Sequence, residues 1–447
     1  MHDGYIRVEG RHFCLNHKKI NLYGYGLGTW MNLEHFMLGI PGTDFQIRTA
    51  VIQAYGKNNA DRFWSSFYRA VINEDDFRFL KGLGINTLRL PFSYRRFEDD
   101  QAPYTYNEQG FQEMDRVLSL CEKYEIYAVL DLHAVPGGQN PDWHSDNAIG
   151  ESLFWEYADF RHRTVALWKT LAKRYRDNPW IAAYDLLNEP VLLIPDKDIL
   201  NTFIKNLIRE IRTVDKNHML FVEGDMYGTQ FDLFDRFDDP NVACSFHYYP
   251  FLRQHLSDRK TQKERILHSL HKSVTLNDIS ERLERPAWCG ETGALLSRGN
   301  REQQESMLWD MLNLCRTQDI SWSLWSYKDA RNMGLLHPGE SSGWMNFSRE
   351  VSDDWNFWDD FESRDKIVDS LIRKSRTEIS KMEKLKLGFR VLANQQLILK
   401  ERLTRTLREL PFETFLEYAD SFRFSCCDQW ENAARMVREF TGCKSDK

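Results

Sequence analysis

The sequence predicts an α/β fold, a (β/α)8 TIM barrel with long loops on its catalytic face and a C-terminal helical extension. The first observation is a set of eight short, nearly continuous apolar runs, which is how strands of a parallel sheet covered by helices appear. The second is that amphipathic stretches alternate with these runs. The third is the length of 447 residues, which suits a barrel of about 250 residues enlarged by insertions.

The elements follow one another in a regular order along the chain. The predicted strands are residues 20–25, 85–90, 126–133, 181–188, 219–223, 242–248, 286–291 and 320–325. The predicted helices are residues 74–83, 110–124, 154–175, 197–213, 263–273 and 303–317. We expect residues 1–380 to form the barrel, with an N-terminal hairpin that covers its N-terminal mouth. Residues 381–447 are expected to form a helical extension packed on the barrel.

Three connections that follow predicted strands are unusually long. They run from about 26 to 73, from 134 to 152 and from 326 to 360. Loops after the strands of such a barrel lie on its C-terminal face, where active sites are built. Trp30, Trp143, Trp344, Trp355 and Trp358 lie on these loops. Loops of this length, rising around the barrel mouth, favour a pocket closed at one end over an open cleft. The indoles could equally serve only to fasten the loops to the barrel.

Composition excludes several classes of protein. The net charge is −7, from 59 Lys and Arg against 66 Asp and Glu, so nucleic acid is not an expected partner. No run of about 20 apolar residues predicts a membrane span. The N-terminus shows no secretory signal, so we expect a cytoplasmic protein unless a signal was removed. The eight cysteines lack CxxC spacing, and no metal-binding pattern is visible, so neither a metal nor a cofactor is expected.

Two predicted strands end in a carboxylate. One ends in Asn188-Glu189-Pro190 and another in Gly290-Glu291-Thr292-Gly293. Alone, each glutamate could be a turn residue that faces water. Together, at strand ends three strands apart, they would face each other across the barrel mouth. Paired carboxylates are what glycoside hydrolysis requires, because one donates a proton while the other attacks the sugar.

The ordered motifs NTLRLP, DLH, LLNEP, FHYY, CGETG and SLWSYK resemble glycoside hydrolase family 5, a family of retaining (β/α)8 glycosidases. The resemblance spans about residues 5–361, and it implies that Glu291 is the nucleophile and Glu189 the acid/base. It also implies supporting roles for six further residues, which are Arg89, His133, Asn188, His247, Tyr249 and Trp325. Many relatives have Phe where this chain has Thr292.

The chemistry of these side chains agrees with the implied roles. Arg89 is always cationic, so we expect it to lower the pKa of Glu291 and to orient its carboxylate. Tyr249 could donate a hydrogen bond to the same group. Trp30 and Glu34 resemble a segment that lines the sugar site in some relatives, although a loop anchor and a solvated charge are equally consistent with the sequence. The loop that carries Gln139, Asn140, Trp143 and His144 is a weaker candidate for contacts with sugar hydroxyls.

The function predicted from the sequence is a retaining β-glycoside hydrolase that cleaves β-glucoside-type linkages by double displacement. A pocket-shaped site would make it exo-acting, or active on short glycosides and on glycosides with an apolar aglycone. Its expected partner is a carbohydrate or glycoconjugate substrate, and the sequence leaves the oligomeric state open. A transglycosylase and a non-catalytic carbohydrate-binding barrel are the alternatives.

Overall fold

The computed structural model describes residues 4–250, 258–293, 301–330, 333–352 and 357–443. Its strands are β1 (Arg7–Glu9), β2 (His12–Leu15), β3 (Lys18–Ile20), β4 (Tyr23–Gly26), β5 (Thr87–Ser93), β6 (Glu98–Asp99), β7 (Ala102–Tyr106), β8 (Tyr127–Ala134), β9 (Ile181–Asp185), β10 (Met219–Glu223), β11 (Val242–His247), β12 (Ala287–Thr292), β13 (Ser321–Leu324), β14 (Leu336–Pro338) and β15 (Cys427–Gln429). Its helices are α1 (His35–Leu38), α2 (Asp44–Tyr55), α3 (Lys57–Val71), α4 (Glu74–Gly82), α5 (Glu108–Tyr124), α6 (Leu153–Glu156), α7 (Ala158–Tyr175), α8 (Lys197–Arg212), α9 (Asp225–Gly228), α10 (Arg259–Ser273), α11 (Arg301–Thr317), α12 (Gly343–Ser352), α13 (Phe357–Ser375), α14 (Lys381–Glu409), α15 (Phe412–Tyr418) and α16 (Glu431–Thr441).

Eight parallel strands form a closed barrel. Their order around it is β4-β5-β8-β9-β10-β11-β12-β13, and β13 pairs with β4 to close the ring. Every predicted apolar run overlaps one of these strands, which confirms the predicted (β/α)8 fold. All residues of β5 and β8 are buried, because one face of each strand lines the barrel and the other packs against helices.

The N-terminal mouth of the barrel is covered by β1, β2 and β3, which form an antiparallel sheet in place of the expected two-stranded hairpin. Phe13 of β2 and Ile6 are buried against apolar residues that point out of this end of the barrel. The ring of Phe13 meets that of Phe221 edge to face at 5.9 Å. This end is therefore filled with packed side chains, which leaves the opposite end for chemistry.

The long connection after β4 forms helices α1, α2 and α3. Trp344, from α12 after the last barrel strand, is fully buried among these helices, and its indole N–H donates to the carbonyl of Leu38 at 2.8 Å. The loops after the first and last barrel strands are therefore joined over one side of the catalytic face. Trp355 and the side chain of Trp358 lie outside the described residues.

Residues beyond 380 pack on the rest of the protein at several points. Helix α14 lies against α2 and α13. Phe415 of α15 stacks on Phe63 of α3 with ring centroids 4.1 Å apart. Strand β15 pairs antiparallel with β14, which lies in the loop after β13. This part of the chain was predicted to be helical, but it also contains a strand, because β14 offers an open edge that only a distant segment satisfies.

Candidate active site

Arg89, on β5, lies at the centre of the site and is completely buried. Its guanidinium contacts four carboxylates, which belong to Asp131, Asp185, Glu223 and Glu291. Each acid comes from a different barrel strand, so a single cation ties four strands together. Buried carboxylates are almost always paired, and here Arg89 supplies the shared partner.

Glu291, on β12, is held on both carboxylate oxygens. Oε1 accepts a hydrogen bond from Nη1 of Arg89, and Oε2 accepts one from the hydroxyl of Tyr249 at 2.8 Å. Burial raises the pKa of Glu291, while His247 and Arg89 act in the opposite direction. Arg89 therefore acts to lower the pKa of Glu291, as expected. The net shift of that pKa is upward, because the loss of water around the carboxylate outweighs its two cationic neighbours.

Glu189 lies four residues past the end of β9, in a turn, whereas the sequence predicted a strand that extends to residue 188, directly before it. Its backbone has a φ of 45°, in the left-handed region that favours glycine. Two side chains hold this conformation: Glu223 Oε2 accepts the Glu189 N–H at 2.7 Å, and Asn140 donates to the Glu189 carbonyl at 2.9 Å. Strain of this kind is typical of functional positions.

Two histidines bind the side chain of Glu189. Nδ1 of His247 lies 2.7 Å from Oε1, and Nε2 of His144 lies 3.0 Å from Oε2. Burial acts to raise the pKa of Glu189, but both imidazoles lower it. Burial acts to lower the pKa values of His144 and His247, but neighbouring carboxylates raise both. These directions favour an ionised Glu189 flanked by protonated imidazoles.

The two predicted catalytic carboxylates lie close together. One carboxylate oxygen of Glu189, one of Glu291 and one ring nitrogen of His247 all lie within 4.8 Å of one another. Carboxyl groups about 5–5.5 Å apart are typical of retaining glycosidases, whereas inverting enzymes need about 6.5–9.5 Å for a water molecule. The spacing suits direct attack by one carboxylate on a sugar carbon.

Asn188, His133 and Trp325 line the site beside these carboxylates. The amide oxygen of Asn188 accepts a hydrogen bond from Arg89 at 2.8 Å, which leaves its NH2 to donate. The ring of His133 stacks parallel to that of Trp325 with centroids 5.5 Å apart. The carboxylate of Glu34 lies 3.3 Å from Nε2 of His133, so this predicted residue is buried beside the site rather than solvated.

His133 is embedded in negative charge. Burial acts to lower its pKa, but Asp131 and Glu34 raise it to about 10. Nδ1 of the ring lies 2.7 Å from Asp131 Oδ2. The protonated ring is therefore a donor that could address a sugar hydroxyl or keep Glu34 in place.

Trp30 does not join the site. It is completely buried in the main apolar core, and its indole N–H donates to Glu113 Oε1 on α5 at 2.7 Å. The interpretation of Trp30 as a sugar-contacting residue is therefore wrong, and the loop-anchor alternative describes it. The indole turns away from the barrel mouth because an acceptor on a neighbouring helix satisfies its N–H in the core.

The sequence reasoning missed two groups of residues. Asp131 and Asp185 pair with Arg89 and were not singled out, although acids inside apolar strand runs signal a buried partner. His144 was only one of several polar residues noted in its loop. The signal for it was the crowding of polar and aromatic residues after the third barrel strand.

Oxygen-rich clusters at the site could in principle hold a metal ion. Asp131, Asp185 and Glu223 place one oxygen each within 4.8 Å of one another. The guanidinium of Arg89 contacts all three, so it supplies the positive charge that an ion would otherwise supply. This arrangement is that of a charge network built around an arginine.

The fold and the site together define an enzyme of the (β/α)8 class with facing carboxylates at the C-terminal ends of its strands. Residues 41–331 match the family model described as cellulase, glycosyl hydrolase family 5. The chain belongs to this family. It is a retaining β-glycosidase, and its substrate is a carbohydrate.

Known proteins similar to this chain bear several names. A β-xylosidase of Phanerodontia chrysosporium is 35% identical over 363 residues, which cover 77% of this chain and 75% of that protein. Endoglucanase C of Acetivibrio thermocellus is 26% identical over 319 residues, which cover 62% and 87%.

Solved structures share the fold at low identity. A rutinosidase of Aspergillus niger matches with a TM-score of 0.55 at 14% identity, over 69% of this chain and 90% of that one. The endoglucanase Cel5A of Thermotoga maritima matches with a TM-score of 0.51 at 18% identity, over 70% and 91%. The described residues contain no helix that is both long and apolar enough to cross a membrane.

Proposed function

We propose that this enzyme hydrolyses β-glucoside-type linkages in a pocket closed on the sugar side, and that it releases single sugars from short glycosides or from glycosides with an apolar aglycone. The observation that carries the proposal is the pair of facing carboxylates, Glu189 and Glu291, set behind a wall of joined loops. The pair supports the chemistry, and the wall supports the exo-acting mode.

In this proposal Glu291 is the nucleophile. It attacks the anomeric carbon while the bond to the leaving oxygen breaks, and a covalent glycosyl-enzyme forms. Arg89 and Tyr249 fix the two oxygens of Glu291, so that one lone pair points into the pocket. The NH2 of Asn188 donates to the sugar 2-OH, a bond that strengthens as positive charge develops on the sugar ring.

Glu189 is the acid/base. The pKa of Glu189 is lowered and those of His144 and His247 are raised, which favours a proton on an imidazole over a proton on Glu189. Both imidazoles lie within hydrogen-bond distance of the carboxylate, so the proton can pass to Glu189 and on to the leaving oxygen. In the second step Glu189 takes a proton from the water that releases the sugar.

The wall consists of loops that follow the first, third and last barrel strands. Asn32, after β4, donates to the carbonyl of His144, after β8, at 3.0 Å. Trp344, after β13, donates to Leu38, after β4. Loops joined in this way support a site closed at the end beside Glu34, where the proposal places the terminal sugar.

The names of the relatives suggest which sugars to test. The relative that is 35% identical is called a β-xylosidase, and three relatives at 25–26% identity are called glucan 1,3-β-glucosidases. Glucose and xylose differ only by the hydroxymethyl group on C5. We therefore compare aryl β-glucoside with aryl β-xyloside, followed by a series of cello- and laminari-oligosaccharides.

The expected result is a higher kcat/KM on the β-glucoside and monosaccharide as the first product from every oligosaccharide. Glu291→Gln should abolish turnover, while Glu189→Ala should slow alkyl glycosides far more than dinitrophenyl glycosides, since only poor leaving groups need the proton. Random mid-chain cleavage of long polymer would contradict the pocket. A higher kcat/KM on the xyloside would contradict the glucoside assignment and leave the roles of the two glutamates intact.

The same experiment tests the two alternatives. A transglycosylase would form longer products when an acceptor sugar is added and would release little free sugar without one. A non-catalytic barrel would bind oligosaccharides without any turnover, and Glu291→Gln would then change nothing.

A further inference from the structure

We propose that the tip of the hairpin formed by α13 and α14 binds the surface of an anionic lipid bilayer. The hairpin tip is defined here as residues 363–390, which comprise the second half of α13, the turn and the start of α14. The proposal goes beyond the glycosidase activity and does not depend on it. It rests on the charge, the exposed apolar side chains and the position of the hairpin tip.

The charge of the hairpin tip opposes that of the rest of the chain. Residues 363–390 contain nine Lys and Arg but only four Asp and Glu, a net charge of +5 in a protein whose net charge is −7. The remaining residues therefore carry −12. Such an asymmetry concentrated in one helical hairpin is typical of segments that meet an anionic surface.

Exposed apolar side chains are concentrated on the same hairpin. Of the thirteen large apolar residues that are exposed among the described residues, six lie on α13 or α14, which together form about a tenth of the chain. Four of them lie within the hairpin tip, and these are Ile367, Leu371, Met382 and Leu385, with exposed fractions of 37–46%. Clustered exposed apolar groups mark binding surfaces, whereas isolated ones need no explanation.

Apolar and basic groups share one face of α13. Ile367, Leu371 and Lys374 follow one another at helical spacing, so they lie along a single stripe. Val368, about 100° further round the helix, is buried. This is the pattern of a helix that lies in the plane of a bilayer, with apolar groups among the acyl chains and lysines at the phosphates.

The hairpin is held firmly enough to present this face. Lys384 of α14 pairs with Asp369 of α13 at 2.6 Å. Gly388 of α14 lies so close to Arg364 of α13 that a side chain there would begin 3.1 Å from Arg364 Cδ. None of the ion pairs formed among the described residues involves Lys374, Arg376 or Lys381, so their charges remain for a partner.

The hairpin contacts a loop that also reaches the active site. Arg390 of α14 pairs with Glu151, in the loop after β8, and the two residues line a cavity of about 290 Å³. That same loop carries His144, which contacts Glu189. A bilayer bound at the hairpin tip would therefore lie beside the loop that holds the predicted acid/base, close to substrates that are anchored in the membrane.

Vesicle binding tests the proposal directly. The full-length protein is sedimented with phosphatidylcholine vesicles and with phosphatidylcholine vesicles that contain phosphatidylserine. We expect binding only to the anionic vesicles, and weaker binding as salt is added. The triple variant Lys374→Glu/Arg376→Glu/Lys381→Glu should bind about 100-fold more weakly, given the contribution of each basic residue at such a surface.

Matched variants show whether a loss of vesicle binding comes from the charge of the hairpin tip, from its apolar side chains or from impaired folding. Lys173→Glu/Lys216→Glu/Lys263→Glu makes the same change of net charge at exposed positions on other elements, and it should bind with at most a few-fold loss. Leu371→Ser should weaken binding about tenfold, because it removes one exposed apolar group from the face. All variants should hydrolyse a soluble aryl glycoside at the wild-type rate.

Several results would overturn the proposal. These are no binding to anionic vesicles at low salt, equal binding to neutral vesicles, or equal losses in the two triple variants. A dimer that forms with increasing concentration and disappears in Leu371→Ser, without vesicle binding, would show that the face binds a second copy of the chain instead.

Discussion

Arg89→Leu should destabilise the protein strongly at neutral pH and much less in mild acid. The side chain is completely buried and contacts four carboxylates from four barrel strands. Removing one partner of a buried ion pair costs about 3–5 kcal/mol, because the other charge remains without compensation. With four acids affected, we expect the upper part of that range, a large fraction of the 5–15 kcal/mol that is typical of a folded domain.

The pH dependence has a definite sign. Without the cation, the buried carboxyls have folded-state pKa values above their unfolded values of about 4. A raised carboxyl pKa costs stability only when the pH is above the unfolded value, and the cost grows until the pH passes the folded value. Lowering the pH from about 7 to about 5 should therefore reduce the difference in unfolding free energy between wild type and variant by about 1–2 kcal/mol.

The measurement is urea unfolding of wild type and variant, followed by circular dichroism at both pH values. Arg174→Leu is the control, because Arg174 pairs with Glu108 and Asp115 on the surface and is 35% exposed. It should cost no more than about 1 kcal/mol and show little pH dependence. A loss below about 1 kcal/mol in Arg89→Leu, or the same loss at both pH values, would refute the reasoning.

Three further predictions concern stability and metal dependence. Asp215 is buried. Burial acts to raise its pKa, but His218 and Tyr184 lower it to about 2. Asp215→Asn should therefore lose about 2 kcal/mol at pH values above about 4, and the difference from wild type should vanish as the pH falls through about 2, as measured by unfolding at a series of pH values. Trp344→Ala should lose about 3–5 kcal/mol of unfolding free energy and raise KM, since Trp344 packs in the core and fastens the loop at Leu38. A lower melting temperature with an unchanged KM would show that Trp344 stabilises the core but does not shape the substrate pocket. Dialysis against a chelator should leave the rate on an aryl glycoside unchanged, because the guanidinium of Arg89 occupies the centre of the buried acidic cluster, and a large loss that is restored by a divalent cation would contradict this.

The barrel and its two glutamates could be predicted because their signals are local. Each strand is a short apolar run, and Glu189 and Glu291 follow such runs directly in the sequence. Periodicity does not fix where a strand ends, however, and the turn that carries Glu189 begins three residues earlier than expected. The left-handed backbone of Glu189 depends on Glu223 and Asn140, which are distant in sequence.

The direction of a loop side chain could not be predicted in the same way. Trp30 turns into the core because Glu113, 83 residues later, accepts its N–H. The strand β15 forms because β14, about ninety residues earlier, leaves an edge open. Such pairings depend on the packing of the whole fold, so they cannot be predicted from a short window of sequence.

At Glu189, the left-handed backbone and the catalytic side chain place different demands on the same residue. A non-glycine residue in this region of φ costs on the order of 1–3 kcal/mol, so Glu189→Gly should relieve backbone strain, but it also removes the proposed acid/base and leaves His144 and His247 without their carboxylate partner. A library screened only for survival at high temperature would then select residue 189 on backbone strain and ion pairing alone, without regard to activity. Directed evolution of this enzyme should therefore hold residue 189 fixed, and look for robustness in the helices far from the barrel mouth.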